Sequence, residues 1–381
     1  VRLLYFLEES YGGVADYAHE QANALEECGV RVTLLTTPKY PVGRGEKYAI
    51  VPGLVEMKPD QPISNPLKRR ARYISIRLGN YKRLAKYIEN KGFDHVLVGS
   101  YSEYFAPLWS RQLRGLAARG IVFGAVIHDP VRDYVLGPLW WHRRSVADSY
   151  RHLREAFVHE AIELDTVRPC PNLRTTVIPT GTFPFPEPTR ERGETRASLE
   201  IPESAPLLLA FGNIRDGKNL DLVVKSLAEH PEPYLIVAGT VQSTGQKQVS
   251  YYRNLAETLG VAGRCRWIEQ YVPASEVANL FAAADGSVLT YSGSFRSSST
   301  VLGLTVHYRV PCIASSGEGP LRTLVKKYDL GTWVEPDDEA ALKRGMGKFL
   351  SNPPRPDWDR FLAENSWLEN ARLIRERMFQ S

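Results

Sequence analysis

Long apolar runs are missing from this chain of 381 residues. No stretch approaches the ~20 residues that cross a bilayer, and no charged-then-apolar leader precedes the strand-like run Val1 to Leu7, so a soluble mature chain is expected. Cysteine is scarce as well. Cys28, Cys170, Cys265 and Cys312 lie far apart and form no metal-type or redox-type pair, which fits core thiols in a reducing, cytoplasmic compartment. No repeat of 20 to 50 residues is visible, which argues against a solenoid or propeller. An acidic excess is also absent. The net charge is +5, and residues 1–182 carry 25 Lys+Arg against 19 Asp+Glu, whereas residues 183–381 carry 23 against 24. The basic surplus therefore belongs to the first half.

With 43% hydrophobic and 24% charged residues, the chain holds core enough for two domains of ordinary size. Strand-like and helical runs alternate: Val1 to Leu7, a helix over Tyr17 to Glu27, Val30 to Thr36, then His95 to Val98, Ile121 to Ile127 and Thr176 to Pro179. That order implies a parallel sheet. Residues 183–206 hold five prolines among charges and read as a linker with one short helix. A second alternating set follows, with strands at Leu207 to Phe211, Tyr234 to Ala238, Cys265 to Ile268, Gly286 to Thr290 and Pro311 to Ala314. Helices are expected between them, at Leu220 to Ala228, Val249 to Leu259, Ala274 to Ala284 and Ser299 to His307. Residues 357–380 read as one long helix whose Trp358, Phe361, Trp367 and Leu368 need a partner surface. The expected division is 1–182, 183–356 and a terminal helix 357–381 packing back on the first domain.

The segment most suggestive of chemistry is Phe211-Gly212-Asn213-Ile214-Arg215-Asp216-Gly217-Lys218-Asn219. A buried strand runs into a Gly turn and a helix start, where backbone can approach a ligand. Arg215 as a fork and Lys218 as a point charge could grip two phosphates. They could equally be solvated side chains, yet cations at a helix start oppose its dipole, a conflict that a bound anion removes. Other candidates follow the same logic. Tyr11-Gly12-Gly13-Val14 follows the first strand as a tight turn but is not the dinucleotide fingerprint. His128-Asp129 ends a strand, and Arg296-Ser297-Ser298-Ser299-Thr300 precedes a helix whose free N–H groups suit phosphate, although a Ser N-cap alone would need only one hydroxyl.

In this order these segments resemble the family 4 glycosyltransferases, retaining enzymes of the two-Rossmann-domain GT-B architecture. The resemblance rests on Phe211, Gly212, Ile214, Arg215, Lys218 and Asn219, on the Gly12-Gly13 loop, on His128, on Thr176-Val177-Ile178-Pro179-Thr180-Gly181, and on residues 291–314. It implies two α/β Rossmann-like domains facing each other across a cleft, the first taking the acceptor and the second the donor. It implies that Arg215 and Lys218 neutralise the diphosphate of a nucleotide sugar, UDP- or GDP-linked, and that His128 contacts the sugar. Gly12, Gly13, Gly212, Asn213, Tyr271, Arg296, Ser297, Ser298, Ser299 and Thr300 are placed by it around the donor. Transfer with retention and without a divalent metal or other cofactor is the implied chemistry, the two cations supplying the charge.

One departure stands out. The two carboxylates that the family keeps before its last conserved strand fall on Arg296 and Leu304. In the family the second of them binds ribose hydroxyls, which Leu304 cannot do. A degraded protein that binds a nucleotide sugar or glycan as a partner subunit is therefore the alternative. Finally, Lys68 to Lys91 holds nine Lys+Arg and one acid, Glu89, with Tyr81, Leu84, Ala85 and Ile88 at helical spacing. It reads either as a solvated helix or as a contact with an anionic acceptor or the inner membrane face, while a nucleic-acid partner is not expected. Trp140-Trp141-His142-Arg143-Arg144 adds aromatic and cationic groups nearby.

Overall fold

The computed structural model describes all residues except 58–63, 129, 131–134, 136, 298 and 381. The chain divides into two compact units, Val1–Gly181 with Asn365–Ser381, and Thr182–Glu364. The first runs β1 (Arg2–Phe6), α1 (Gly13–Glu27), β2 (Arg31–Leu35), β3 (Ala49–Val51), α2 (Pro66–Lys91), β4 (His95–Val98), α3 (Ala106–Ala118), β5 (Val122–Val126), α4 (Leu139–Tyr150), β6 (Glu155–Val158) and β7 (Arg174–Val177). The second runs α5 (Arg192–Ser198), β8 (Leu207–Phe211), α6 (Leu220–Ala228), β9 (Tyr234–Ala238), α7 (Val249–Thr258), β10 (Cys265–Ile268), α8 (Ala274–Ala283) and β11 (Gly286–Thr290). It continues through α9 (Thr300–His307), β12 (Cys312–Ser315), α10 (Pro320–Lys327), β13 (Gly331–Trp333), α11 (Glu339–Ser351) and α12 (Trp358–Glu364). The last helix, α13 (Trp367–Phe379), belongs to the first unit.

Both sheets are parallel, in the orders β3-β2-β1-β4-β5-β6-β7 and β10-β9-β8-β11-β12-β13. Each is the doubly wound, Rossmann-like arrangement, in which helices cover both faces and strands read as continuous apolar runs. The pleat decides which core each side chain joins. Leu207 and Leu209 enter one core with Ile236 and Leu289, and Leu208 enters the other with Leu235, Val237 and Val288.

Residues 357–380 form two helices rather than one. The Ser366 hydroxyl accepts the Glu369 N–H at 3.1 Å and starts α13 afresh, leaving α12 in the second unit. Within the first unit α13 packs on α1, where Asn370 Nδ2 donates to Tyr17 Oη at 2.7 Å and to Pro179 O at 2.6 Å. The thiols are less uniform than expected. Cys265 and Cys312 are buried, but Cys28 at the end of α1 and Cys170 in the loop before β7 are only half-buried.

The basic helix α2 opens on Asn65, whose side chain accepts from Leu67 N and Lys68 N, with Pro66 at its first turn. Its buried stripe is Arg77, Asn80, Tyr81, Leu84, Ala85 and Ile88, so the apolar stripe read from sequence continues into a polar end. There Arg77 meets the buried Glu8 at 2.7 Å, and Asn80 Nδ2 donates to Glu8 at 3.0 Å. Residues 66–71 are exposed on every side.

Candidate functional site

In the second unit the winding reverses at β8, between β9 and β11, so the loops after β8 and β11 flank the crevice where open α/β sheets receive ligands. Two glycines bring the strand ends together. Gly212 has φ 89°, and a Cβ on Gly239, at φ 148°, would stand 2.4 Å from Gly212 O. Beyond Gly212 the chain passes Arg215, makes a 3-10 turn over Asp216–Lys218, and enters α6 through Asn219 at φ 50°.

Lys218 folds back beneath this loop, and its Nζ donates to Phe211 O at 2.7 Å. Burial, reinforced by the neighbouring Arg215, pulls its pKa down to about 8. Arg215 lies 5.6 Å from the ring centre of Tyr291 and 5.4 Å from that of Phe295, two rings stacked at 4.1 Å. This aromatic platform holds the guanidinium by cation–π attraction. Backbone and side-chain ties then lock the two loops together. Thr290 Oγ1 donates to Lys218 O at 2.8 Å and Ser292 N to Gly217 O at 2.9 Å. Asp337 accepts from both Asn219 Nδ2 and Gly293 N, each at 2.8 Å.

A cleft of about 400 Å³ opens above this loop. Of the residues singled out from sequence, Gly212, Asn213, Arg215, Lys218, Tyr271 and Thr300 line it. Arg296, Ser297 and Ser299 do not appear in its walls, and Ser298 lies outside the described residues. Ser299 turns its hydroxyl to Tyr291 Oη at 2.8 Å and makes no side-chain cap, which leaves the first N–H groups of α9 without one. Thr240, Gln242, Gln270, Val272 and Val301 line the cleft unanticipated, together with Leu304, the residue that stands where the resemblance puts a carboxylate. They follow the ends of β9 and β10 or face inward from α9, and only the strand order reveals that these ends are neighbours. Among the described lining residues there are two cations and no carboxylate. Tyr271 is 82% exposed, a free aromatic face at the rim.

In the first unit Gly12 takes φ 85° and caps α1, which begins at Gly13. His128 follows β5. Its Nε2 is 3.2 Å from Gly99 O, and its Nδ1 is 3.3 Å from His159 Nε2, while His159 Nδ1 is 3.2 Å from Ile178 O. Both carbonyls can only accept, so two neutral rings supply two hydrogens for three contacts. Burial, opposed by the Gly99 contact, lowers the pKa of His128 to about 4. The ring packs edge-on against Tyr17 at 4.7 Å. Asp129 lies outside the described residues. Among the described residues no three His, Cys, Asp or Glu side chains are grouped to hold a metal ion, and no helix is long and apolar enough to cross a membrane.

Residues 11–182 match the Glycosyltransferase Family 4 group, and residues 191–361 match the glycosyl transferases group 1. The chain belongs to the GT-B glycosyltransferase superfamily. This glycosyltransferase-fold chain is 30% identical over 206 residues to a D-inositol 3-phosphate glycosyltransferase of Thermobispora bispora, a stretch covering 52% of the chain and 47% of that protein. A match to the enzyme of that name from Streptosporangium roseum, at 27% identity, covers 45% and 40%. The matched region thus spans about half the length of these curated relatives. Among solved structures it resembles a glycosyltransferase from Rickettsia africae, with TM-score 0.66, 15% identity, and 100% and 99% of the two chains covered. It also resembles HepE of Anabaena in complex with UDP, with TM-score 0.61, 13% identity, and 100% and 96% covered. These last two likenesses speak to the fold.

Proposed function

We propose that the chain is a retaining glycosyltransferase that moves a sugar from a nucleoside diphosphate sugar to a hydroxyl acceptor, with Arg215 and Lys218 holding the diphosphate. The observation that carries this is the cleft itself: two converging cations, one of them desolvated, with no carboxylate among the described lining residues. Such a site calls for an anion of at least two charges. Tyr271 and the amides of Gln242 and Gln270 suit the face and edge of a planar base. UDP is the favoured nucleotide, supported by the HepE complex. The cations replace the charge that a divalent ion supplies in other transferases, and a phosphate oxygen of the donor accepts the proton of the acceptor. His128 and the Gly12-Gly13 loop serve the sugar and acceptor side.

The acceptor proposed is a small anionic or lipid-linked hydroxyl compound. The names of the inositol 3-phosphate relatives and the basic character of the first unit both support that class. The same basic character supports a peripheral position on the inner face of a membrane, with Lys68, Arg69 and Arg70 on the exposed first turns of α2 beside Leu67. Replacing Arg215 or Lys218 by Ala should lower sugar transfer at least about tenfold, the worth of one lost charge-assisted contact. Full transfer by both variants would sink the proposal. A binding subunit without turnover is the second reading, favoured by Arg296 and Leu304 standing where related enzymes keep carboxylates. Nucleotide-sugar binding without transfer or hydrolysis over a broad acceptor panel would select it.

A further inference from the structure

Beyond its first residue, the α9 wall of the cleft is apolar. Thr300, Val301 and Leu304 all face the cleft from this helix. At 1.5 Å per residue, Leu304 lies about 6 Å along the axis from Thr300. A ligand whose phosphates sit at the N-terminus of α9 and on Arg215 therefore meets Leu304 with the pentose that follows the phosphates. Val272 continues the apolar surface. The polar atoms beyond it belong to Asn213, Thr240, Gln242 and Gln270, on the loops after β8, β9 and β10. A hydroxyl pressed against Val301 and Leu304 gives up water and gains no acceptor there. Sites that discriminate strongly for a hydroxyl are those built to hydrogen-bond it, and an apolar wall is not one.

We infer that the donor cleft does not read the 2′-hydroxyl of the nucleotide, and that Leu304 is the residue responsible. It takes a 2′-deoxyribonucleoside diphosphate about as readily as its ribo counterpart. This rests on the reading of the cleft as a nucleoside diphosphate site. Calorimetric titration of the whole chain with UDP and dUDP, GDP and dGDP, and ADP and dADP tests it. In every pair that binds, the deoxy-to-ribo ratio of Kd should be about 2 or less, and a larger ratio overturns the inference. Leu304→Glu places an acceptor on the wall and should raise the ratio at least about fivefold, with Leu304→Gln as the milder substitution should Glu prevent folding. A folded variant with the unchanged ratio removes Leu304 from the role. Failure of all six nucleotides to bind refutes the nucleotide reading itself, whereas binding with a ribo preference refutes only this inference.

Discussion

Replacing Lys218 by methionine pits stability against binding, because the burial that makes Lys218 useful also makes it costly. Its pKa falls from 10.5 to about 8 on folding. At about 1.4 kcal/mol per unit, the folded apo chain carries up to ~3 kcal/mol for holding this charge at pH 7. The sign follows from the proton count. Between about pH 8 and 10.5 the unfolded chain binds more protons at this lysine than the folded one. The penalty is therefore fully present below pH 8 and fades as pH rises toward 10.5. Methionine removes it but leaves the Phe211 carbonyl short of the donor now at 2.7 Å, which costs ~1 kcal/mol. The variant should be more stable than the parent by ~1–2 kcal/mol at pH 7 and by little at pH 9.5. Its affinity for a nucleoside diphosphate should drop about 10- to 100-fold, the worth of a charge-assisted hydrogen bond. Urea denaturation at the two pH values, with calorimetric titration of UDP and GDP at pH 7, measures both. A variant that is less stable at pH 7, or that binds as tightly as the parent, refutes the argument.

Three further outcomes are expected. Gly239→Ala forces a Cβ to within 2.4 Å of Gly212 O at φ 148°, so it should lower the melting temperature, with strain of ~1–3 kcal/mol, and weaken nucleotide binding; unchanged melting and affinity would contradict the close approach. His128, with its pKa lowered from 6.5 to about 4, should stay neutral in an NMR titration down to about pH 5, its share of stability being lost as pH falls from 6.5 toward 4; a midpoint near 6.5 would count against its burial. The exposed first turns of α2 should carry the chain onto vesicles with anionic lipid and not onto neutral ones, and replacing Lys68, Arg69 and Arg70 by Glu should cut that sedimentation at least about fivefold, given ~1 kcal/mol per basic residue near such a surface; equal sedimentation of the variant argues against membrane contact through this helix.

Where burial and chain direction decide, the sequence was easy to read. β8, β9, β10 and β11 fall on the apolar runs that announce them, and α6 begins after the turn at Asn219. β6 escaped notice because it opens on a charged residue. Glu155 is fully buried there, ion-paired with Arg174 at 2.6 Å and accepting from Thr176 at 3.2 Å, partners on β7 that no local pattern exposes. The terminal segment misled for the opposite reason, since its apolar residues suggested one helix while Ser366 supplied a cap inside it. At the cleft, Arg215 and Lys218 share one short loop and could be seen from spacing. Tyr291 and Phe295, which hold Arg215, and Gln242 and Gln270, which line the far wall, depend on which strand ends become neighbours. The direction of the Ser299 hydroxyl could not be read, because it chooses Tyr291 over the helix it precedes.

The physical reason for such a cleft lies in what it withholds from its own cations. Among the described residues Arg215 receives only the faces of two rings, and Lys218 a single backbone carbonyl. Of the carboxylates on or tied to these loops, Asp216 accepts from Lys247 N and Asp337 from two N–H donors, and among the described residues neither is paired with Arg215 or Lys218. Both charges thus remain available to a ligand, in a setting where the attraction is far stronger than in water. Departure of a sugar from a nucleoside diphosphate adds negative charge to the diphosphate, so fixed and under-satisfied cations favour the departing state over the bound one. A carboxylate at Leu304 would recover recognition of a ribose at the cost of opposing that field. The apolar wall and the unneutralised cations are then two sides of one arrangement, in which the diphosphate, not the pentose, is what the site is built to hold.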